Sequence, residues 1–186
     1  DTAPAYGSSE KRIGELFQKK KISRHNWVIS TKVGEEFEDG KSKFDFCASN
    51  TELSIKRSLK RLQTDYLDIV LIHSNGFDEE IFDETDCLPT LQRLKKEGLI
   101  RAIGVSTKTP GGAIRAAEIT DIIMVTLNSE TQADLSAIKR ANELNKGVLI
   151  KKVFNSGYAD LKEKNLQYAL ATPGVSSVII GTLNLD

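Results

Sequence analysis

Four residues are of the types that move protons, and two of them stand where apolar runs end. Lys32 follows Val28-Ile29-Ser30-Thr31, His73 follows Ile69-Val70-Leu71-Ile72, and Asp1 and Tyr6 lie just ahead of the first helical pattern. In parallel α/β folds chemistry gathers at the C-terminal ends of strands, so the four converge on one rim if their strands are neighbours. A phenol with a pKa of about 10 is a poor acid at neutral pH unless a cation lies close, and Lys32 is the candidate cation. A buried ammonium needs a carboxylate in turn, and Asp1 is that candidate. His73 can hydrogen-bond a substrate oxygen and aim it at Tyr6. Together they describe a proton-donating site for a carbonyl that becomes an alkoxide. Singly, each has a plainer reading: a lysine at a strand end is usually solvated, and a lone histidine is usually packed or capped.

The elements that must position these residues are written as a repeat. Near-continuous apolar, β-branched runs at 27–31, 67–72, 100–105, 121–126, 147–150 and 177–180 predict strands buried on both faces. Helical patterns alternate with them. Ile13, Leu16 and Phe17 mark one face, and Ile55, Leu59 and Leu62 mark the next, behind a Ser49-x-x-Glu52 capping box. Leu88, Leu91 and Leu94 follow, with Pro89 in the first turn and Gly98 at the end. Helices starting at Thr131, with Leu135, Ile138 and Ala141 inward, and at Asp160, with Leu161, Leu166 and Ala169, complete the set. The strands recur every ~30 residues, the size of a βα unit, and the segment 34–48 reads as a long polar loop.

Six strands and a leading helix in 186 residues fit either an open sheet or part of a (β/α)₈ barrel, which is about 250 residues when complete. No G-x-G-x-x-G turn follows any strand, so a doubly wound dinucleotide fold has no positive signal. The reading taken is an α/β (β/α)₈ TIM barrel, residues 1–186 forming one partial domain that lacks its N-terminal strands and C-terminal tail.

Twenty-six Lys and Arg balance 26 Asp and Glu, for a formal net charge of +0. That balance argues against nucleic acid or an anionic membrane as partner. A chain 39% hydrophobic and 28% charged has the composition of a globular domain with a core. Cys47 and Cys87 are too few for a disulfide framework and have no metal-ligand spacing, so no metal and a cytoplasmic, reducing setting are expected. No run approaches the ~20 apolar residues of a membrane span, and no signal sequence is visible.

The segment Asp1-Thr2-Ala3-Pro4-Ala5-Tyr6-Gly7-Ser8-Ser9-Glu10 resembles the D-T-A-x-x-Y-G-x-S-E motif of the aldo-keto reductases. Three further matches follow in order: Ser30-Thr31-Lys32; Ser58-Leu59-x-Arg61-Leu62-x-x-Asp65-Tyr66-x-Asp68, running on to His73; and Gly98-x-Ile100-Arg101-x-Ile103-Gly104-Val105-Ser106. The resemblance extends through Gly174 to Thr182. It implies a (β/α)₈ barrel that uses NADPH to reduce aldehydes or ketones, small carbonyl compounds being the partner. It also implies a catalytic tetrad of Tyr6 as general acid, Lys32 lowering its pKa, Asp1 paired with Lys32, and His73 orienting the carbonyl. On the cofactor side it implies Ser106 against the nicotinamide carboxamide, Lys152 at the place of a stacking aromatic residue, and Gly181 and Thr182 near the phosphates.

The chain departs from the family pattern at Thr107, where many members have Asn, at Met124, where many have Gln, and at Lys152. The alternative reading is a non-catalytic binding or regulatory protein, or an inactive truncated form, on the same fold, because a barrel lacking strands would expose sheet edges and apolar faces. Sequence leaves the oligomeric state open.

Overall fold

A computed structural model describes residues 1–20 and 22–181. Its packing divides into two compact units, Asp1–Gly104 and Val105–Asp186. In the first, a 3-10 turn at Pro4–Tyr6 leads into helix α1, Ser9–Lys20. Strand β1, Ser30–Val33, is followed by an antiparallel ribbon of β2, Glu35–Glu38, and β3, Lys41–Phe44. Helix α2, Ala48–Leu62, then leads to β4, Leu67–His73, which pairs in parallel with β1. Helices α3, Asp78–Glu84, and α4, Cys87–Lys96, precede β5, Ile100–Ser106, whose last two residues belong to the second unit.

The register of β1 against β4 sets the site. Lys32 lies opposite Leu71 and Val33 opposite Ile72, so the two strands end together and His73 stands one residue beyond the last pair. Val70, Leu71 and Ile72 are fully buried, as a parallel strand covered on both faces requires. At the other end of β4, Asp68 accepts from Arg24 (2.7 Å), Arg101 (3.0 Å) and the Ile29 amide (3.0 Å). A buried carboxylate is tolerable with that many donors, and this hub ties β4 to the chain entering β1, away from the rim that carries His73. Helix α2 turns a narrow face of Thr51, Ser54, Ile55 and Ser58 inward. Helix α1 meets α2 at Gly14, where any Cβ would lie 2.3 Å from the Arg61 carbonyl oxygen.

In the second unit β6, Ile122–Thr126, β7, Gly147–Lys151, and β8, Ser177–Val178, pair in parallel in that order. Helices α5, Pro110–Ile119, α6, Leu135–Glu143, and α7, Lys162–Ala171, alternate with them. Alanines 113, 116 and 117 of α5 and 137 and 141 of α6 are fully buried. Such small residues let helices lie close to their neighbours.

Six local expectations are corrected. The first strand begins at Ser30, not at 27: Trp27 and Val28 are exposed, and the Trp27 ring packs edge-on to Phe17 at 6.0 Å. The Ser49-x-x-Glu52 box does not cap α2. Cys47 does, its sulfur accepting from the Asn50 amide at 3.4 Å, while Glu52 pairs with Lys56 and Arg93. The polar loop at 34–48 contains the β2–β3 ribbon, turned at Asp39-Gly40, both with positive φ (52° and 75°). That is a favoured two-residue hairpin turn, and strands reading EEFE and KSKF hide it because they lack apolar alternation. Finally, α6 begins at Leu135 and not at Thr131, α7 begins at Lys162 with Leu161 exposed, and β8 is shorter than 177–180. Helices α3 and α5 had no sequence signal assigned to them; α5 starts at Pro110, with Thr109 accepting from the Gly112 amide at 3.1 Å.

Gly34 joins β1 to the ribbon at φ +97°, and a Cβ there would lie 2.2 Å from Cε1 of Phe46. Gly34→Ala is therefore expected to destabilise the chain by about 1–3 kcal/mol, from backbone strain and overpacking together. Chemical denaturation checks this; a midpoint equal to the parent's would contradict it. Among the described residues no helix is long and apolar enough to cross a membrane.

Candidate active site

The site grows from Lys32. This side chain is 1% exposed at the end of β1, among the largest fully buried groups in the chain. Its ammonium donates to both Asp1 carboxylate oxygens at 2.8 Å and to the Thr2 carbonyl at 3.0 Å. Burial lowers the ammonium below 10.5, and the Tyr6 hydroxyl and Glu35 carboxylate act against that lowering. The Asp1 segment is held in place by the Thr2 amide donating to the Ser30 carbonyl at 2.8 Å, and by the Thr2 hydroxyl donating to Ser9 Oγ at 2.8 Å.

Tyr6 closes the 3-10 turn, 46% exposed, with Lys32 Nζ 4.7 Å from its ring centroid. His73 stands edge-on to that ring, centroids 6.0 Å apart and planes at 89°. Asp1, Lys32, Tyr6 and His73, separate in sequence, thus form one continuous chain of contacts. Under them Glu10, fully buried in α1, accepts from the Thr31 hydroxyl at 2.8 Å and from Arg61 at 3.3 Å, anchoring the residue before Lys32. A fifth residue joins the group: Glu35 Oε2 lies 2.6 Å from Nδ1 of His73. Sequence reading missed Glu35 because it placed the residue in a polar loop; the Asp39-Gly40 turn, flanked by acidic and basic stretches, was the available signal.

In the second unit Ser106 and Thr107 are buried at the end of β5. The Lys151 ammonium lies 2.9 Å from Ser106 Oγ and donates to the Thr107 carbonyl at 2.6 Å. The Thr107 hydroxyl is buried and has no hydrogen-bond partner among the described residues. Lys152, singled out from sequence, is exposed at φ +55°, with its carbonyl bound by Asn128 Nδ2 at 3.1 Å. Its neighbour Lys151 is the lysine beside Ser106. Met124 is buried within β6. Gly181 and Lys152 line a cleft of about 330 Å³ together with Phe154, Ser156 and Ile180. Thr182 lies outside the described residues.

The two thiols are free and unlike one another. Burial pushes the Cys87 thiol up to about 12, while Cys47 is exposed. At neutral pH a thiol-reactive dye is expected to label Cys47 in the folded chain and Cys87 only after denaturation; rapid labelling of both would contradict the burial of Cys87. Among the described residues no group of His, Cys, Asp or Glu could hold a metal ion.

Parallel strands alternating with helices set the class of the fold as α/β, and the chain belongs to the aldo/keto reductase family, whose model matches residues 1–139. It is 30% identical to the L-galactose dehydrogenase of Arabidopsis thaliana over 97% of this chain and 68% of that protein. A Pseudomonas aeruginosa crystal structure named for the aldo-keto reductases superposes with a TM-score of 0.92 at 46% identity, covering 99% of this chain and 71% of that one. The holo form of an aldo-keto reductase from Bacillus halodurans superposes at 0.76 with 26% identity, over 96% and 70% of the two chains. The fold is thus that of the family, and aldo-keto reductases use nicotinamide cofactors.

Proposed function

We propose that this chain carries the site of an NADPH-dependent reductase of small aldehydes and ketones, with Tyr6 as proton donor. The observation that carries the reading is the unbroken contact from the Asp1 carboxylate through Lys32 and Tyr6 to His73. The bound nicotinamide would supply the hydride, and the protein supplies the proton and the alignment. His73 orients the carbonyl oxygen toward the Tyr6 hydroxyl. As that oxygen becomes an alkoxide, Tyr6 gives it a proton, and the Lys32 ammonium, 4.7 Å from the ring centroid, stabilises the phenolate left behind. Asp1 keeps the ammonium in place and compensates its burial.

The second unit suits the cofactor. Side by side at the end of β5, the Ser106 hydroxyl and the buried, unpartnered Thr107 hydroxyl match the donor and acceptor needs of a carboxamide. Lys151 is the cation that holds this pair of residues, and Lys152 and Gly181 in the 330 Å³ cleft are offered for the phosphates. The name of the Arabidopsis relative points to a sugar aldehyde as one substrate class. Two free thiols suit the reducing cytoplasm.

Cofactor oxidation, followed by absorbance with NADPH and then NADH against a panel of small aldehydes, ketones and aldoses, tests this reading. Aldehyde-dependent oxidation that is faster with NADPH is expected. No carbonyl-dependent oxidation with either cofactor would overturn it.

A further inference from the structure

We infer that Lys151 is a positioning residue of the cofactor site: by holding Ser106 Oγ and the Thr107 carbonyl it fixes the Ser106 hydroxyl as a hydrogen-bond donor, and that donor, with the Thr107 hydroxyl beside it, takes the carboxamide of a bound nicotinamide. The inference rests on the reading of the cofactor given above.

Lys151 closes β7, opposite Thr126 in the register with β6. Its Nζ donates to Ser106 Oγ at 2.9 Å and to the Thr107 carbonyl at 2.6 Å, so one side chain grips two consecutive residues where β5 ends. The far side of that short link is fixed as well. Thr109 caps α5, accepting from the Gly112 amide at 3.1 Å, and Pro110 follows with its restricted φ. Residues 106–109 are thus held by a strand end, a lysine and a helix cap.

The sense of the Ser106 hydroxyl follows from what each group can donate. An ammonium has donors and no acceptor, so its contact with Ser106 uses a lone pair of Oγ and leaves the hydroxyl hydrogen for another group. Among the described residues no acceptor takes that hydrogen, although Ser106 is only 2% exposed. Thr107 beside it, 3% exposed, has a hydroxyl with no partner at all among the described residues. Two adjacent buried hydroxyls with unused capacity are costly unless a ligand completes them. A carboxamide offers the matching pair, an oxygen that accepts from Ser106 and an amino group that donates to Thr107. Without Lys151 both the sense of the Ser106 hydroxyl and the place of the Thr107 carbonyl are released.

Isothermal titration calorimetry on the full chain compares NADPH with adenosine 2′,5′-bisphosphate, which carries phosphates and no nicotinamide. Lys151→Met is expected to weaken NADPH binding about tenfold, the worth of one well-placed hydrogen bond, while the bisphosphate binds as it does to the parent. Ser106→Ala alone should weaken NADPH by a similar factor. Adding it to Lys151→Met should change little further, because Lys151 acts through Ser106. Lys151→Arg keeps donors at this place and should recover part of the affinity. Lys151→Gln, too short to reach both acceptors, carries the test if Lys151→Met does not fold. Parent-like NADPH affinity in the variants overturns the inference, as does full additivity with Ser106→Ala. An equal loss for both ligands also overturns it, being damage to the fold alone. Failure of the reductase reading shows separately, in the parent: no NADPH binding takes this inference with it, whereas binding without carbonyl-dependent oxidation leaves it standing.

Discussion

Tyr6→Phe is expected to lower kcat for carbonyl reduction by about 10²–10⁴-fold, the usual contribution of a positioned general acid. Binding of NADPH, read by fluorescence quenching, should be unchanged. The substitution removes one oxygen and keeps the ring that packs edge-on to His73 and beneath Lys32. With nearly half its surface exposed at the end of a short turn, Tyr6 contributes little core packing that the change could disturb. The loss should therefore fall on kcat and not on the melting temperature, the pattern of an interaction made chiefly in the transition state. A variant with the parent's kcat would remove Tyr6 from the mechanism.

Lys32→Met is expected to damage both activity and fold. Methionine fills much of the lysine stem's volume but leaves the Asp1 carboxylate, 11% exposed, without the ammonium that held both its oxygens. Breaking one side of a buried pair costs about 3–5 kcal/mol, so the melting temperature should fall by about 10 °C for a chain of this size. Turnover should fall about as far as in Tyr6→Phe. The double variant should turn over little more slowly than Tyr6→Phe alone, because both changes disable one proton transfer.

The pH dependence of stability carries the same signature. Burial lowers the folded-state pKa of Lys32 below 10.5. Between that lowered value and 10.5 the unfolded chain holds more protons than the folded one. The contribution of Lys32 to stability therefore rises with pH through this window and is lost as pH falls through the folded value. Denaturant titrations over alkaline pH should show a shallower rise in Lys32→Met. An equal rise in parent and variant would contradict the assignment to Lys32.

How much of this was legible in the sequence follows from which residues are apolar. The buried parallel strands announce themselves as β-branched runs, and because those runs end where Lys32 and His73 begin, the strand ends could be read without coordinates. Glu35 could not be found in that way. Its strand is charged on both sides, two residues long on each face, and pairs only with a ribbon partner. The difference between Lys151 and Lys152 was equally hidden: two identical neighbours part company because β7 ends between them and Lys152 turns to positive φ. The cap of α2 was misassigned for a similar reason. Ser49 and Cys47 both offer an acceptor near the helix start, and only the backbone decides which one faces the free amide.

Deuterium transfer tests the central claim most directly. The full chain would be incubated with an aldehyde substrate and NADPH carrying deuterium at C4 of the nicotinamide, and the alcohol product read by mass spectrometry and NMR. Hydride transfer at this site predicts one deuterium on the new carbinol carbon and a solvent-derived proton on its oxygen, with product formation lost in Tyr6→Phe. An alcohol whose carbinol hydrogen comes from water, or one formed equally well by Tyr6→Phe, would contradict the account.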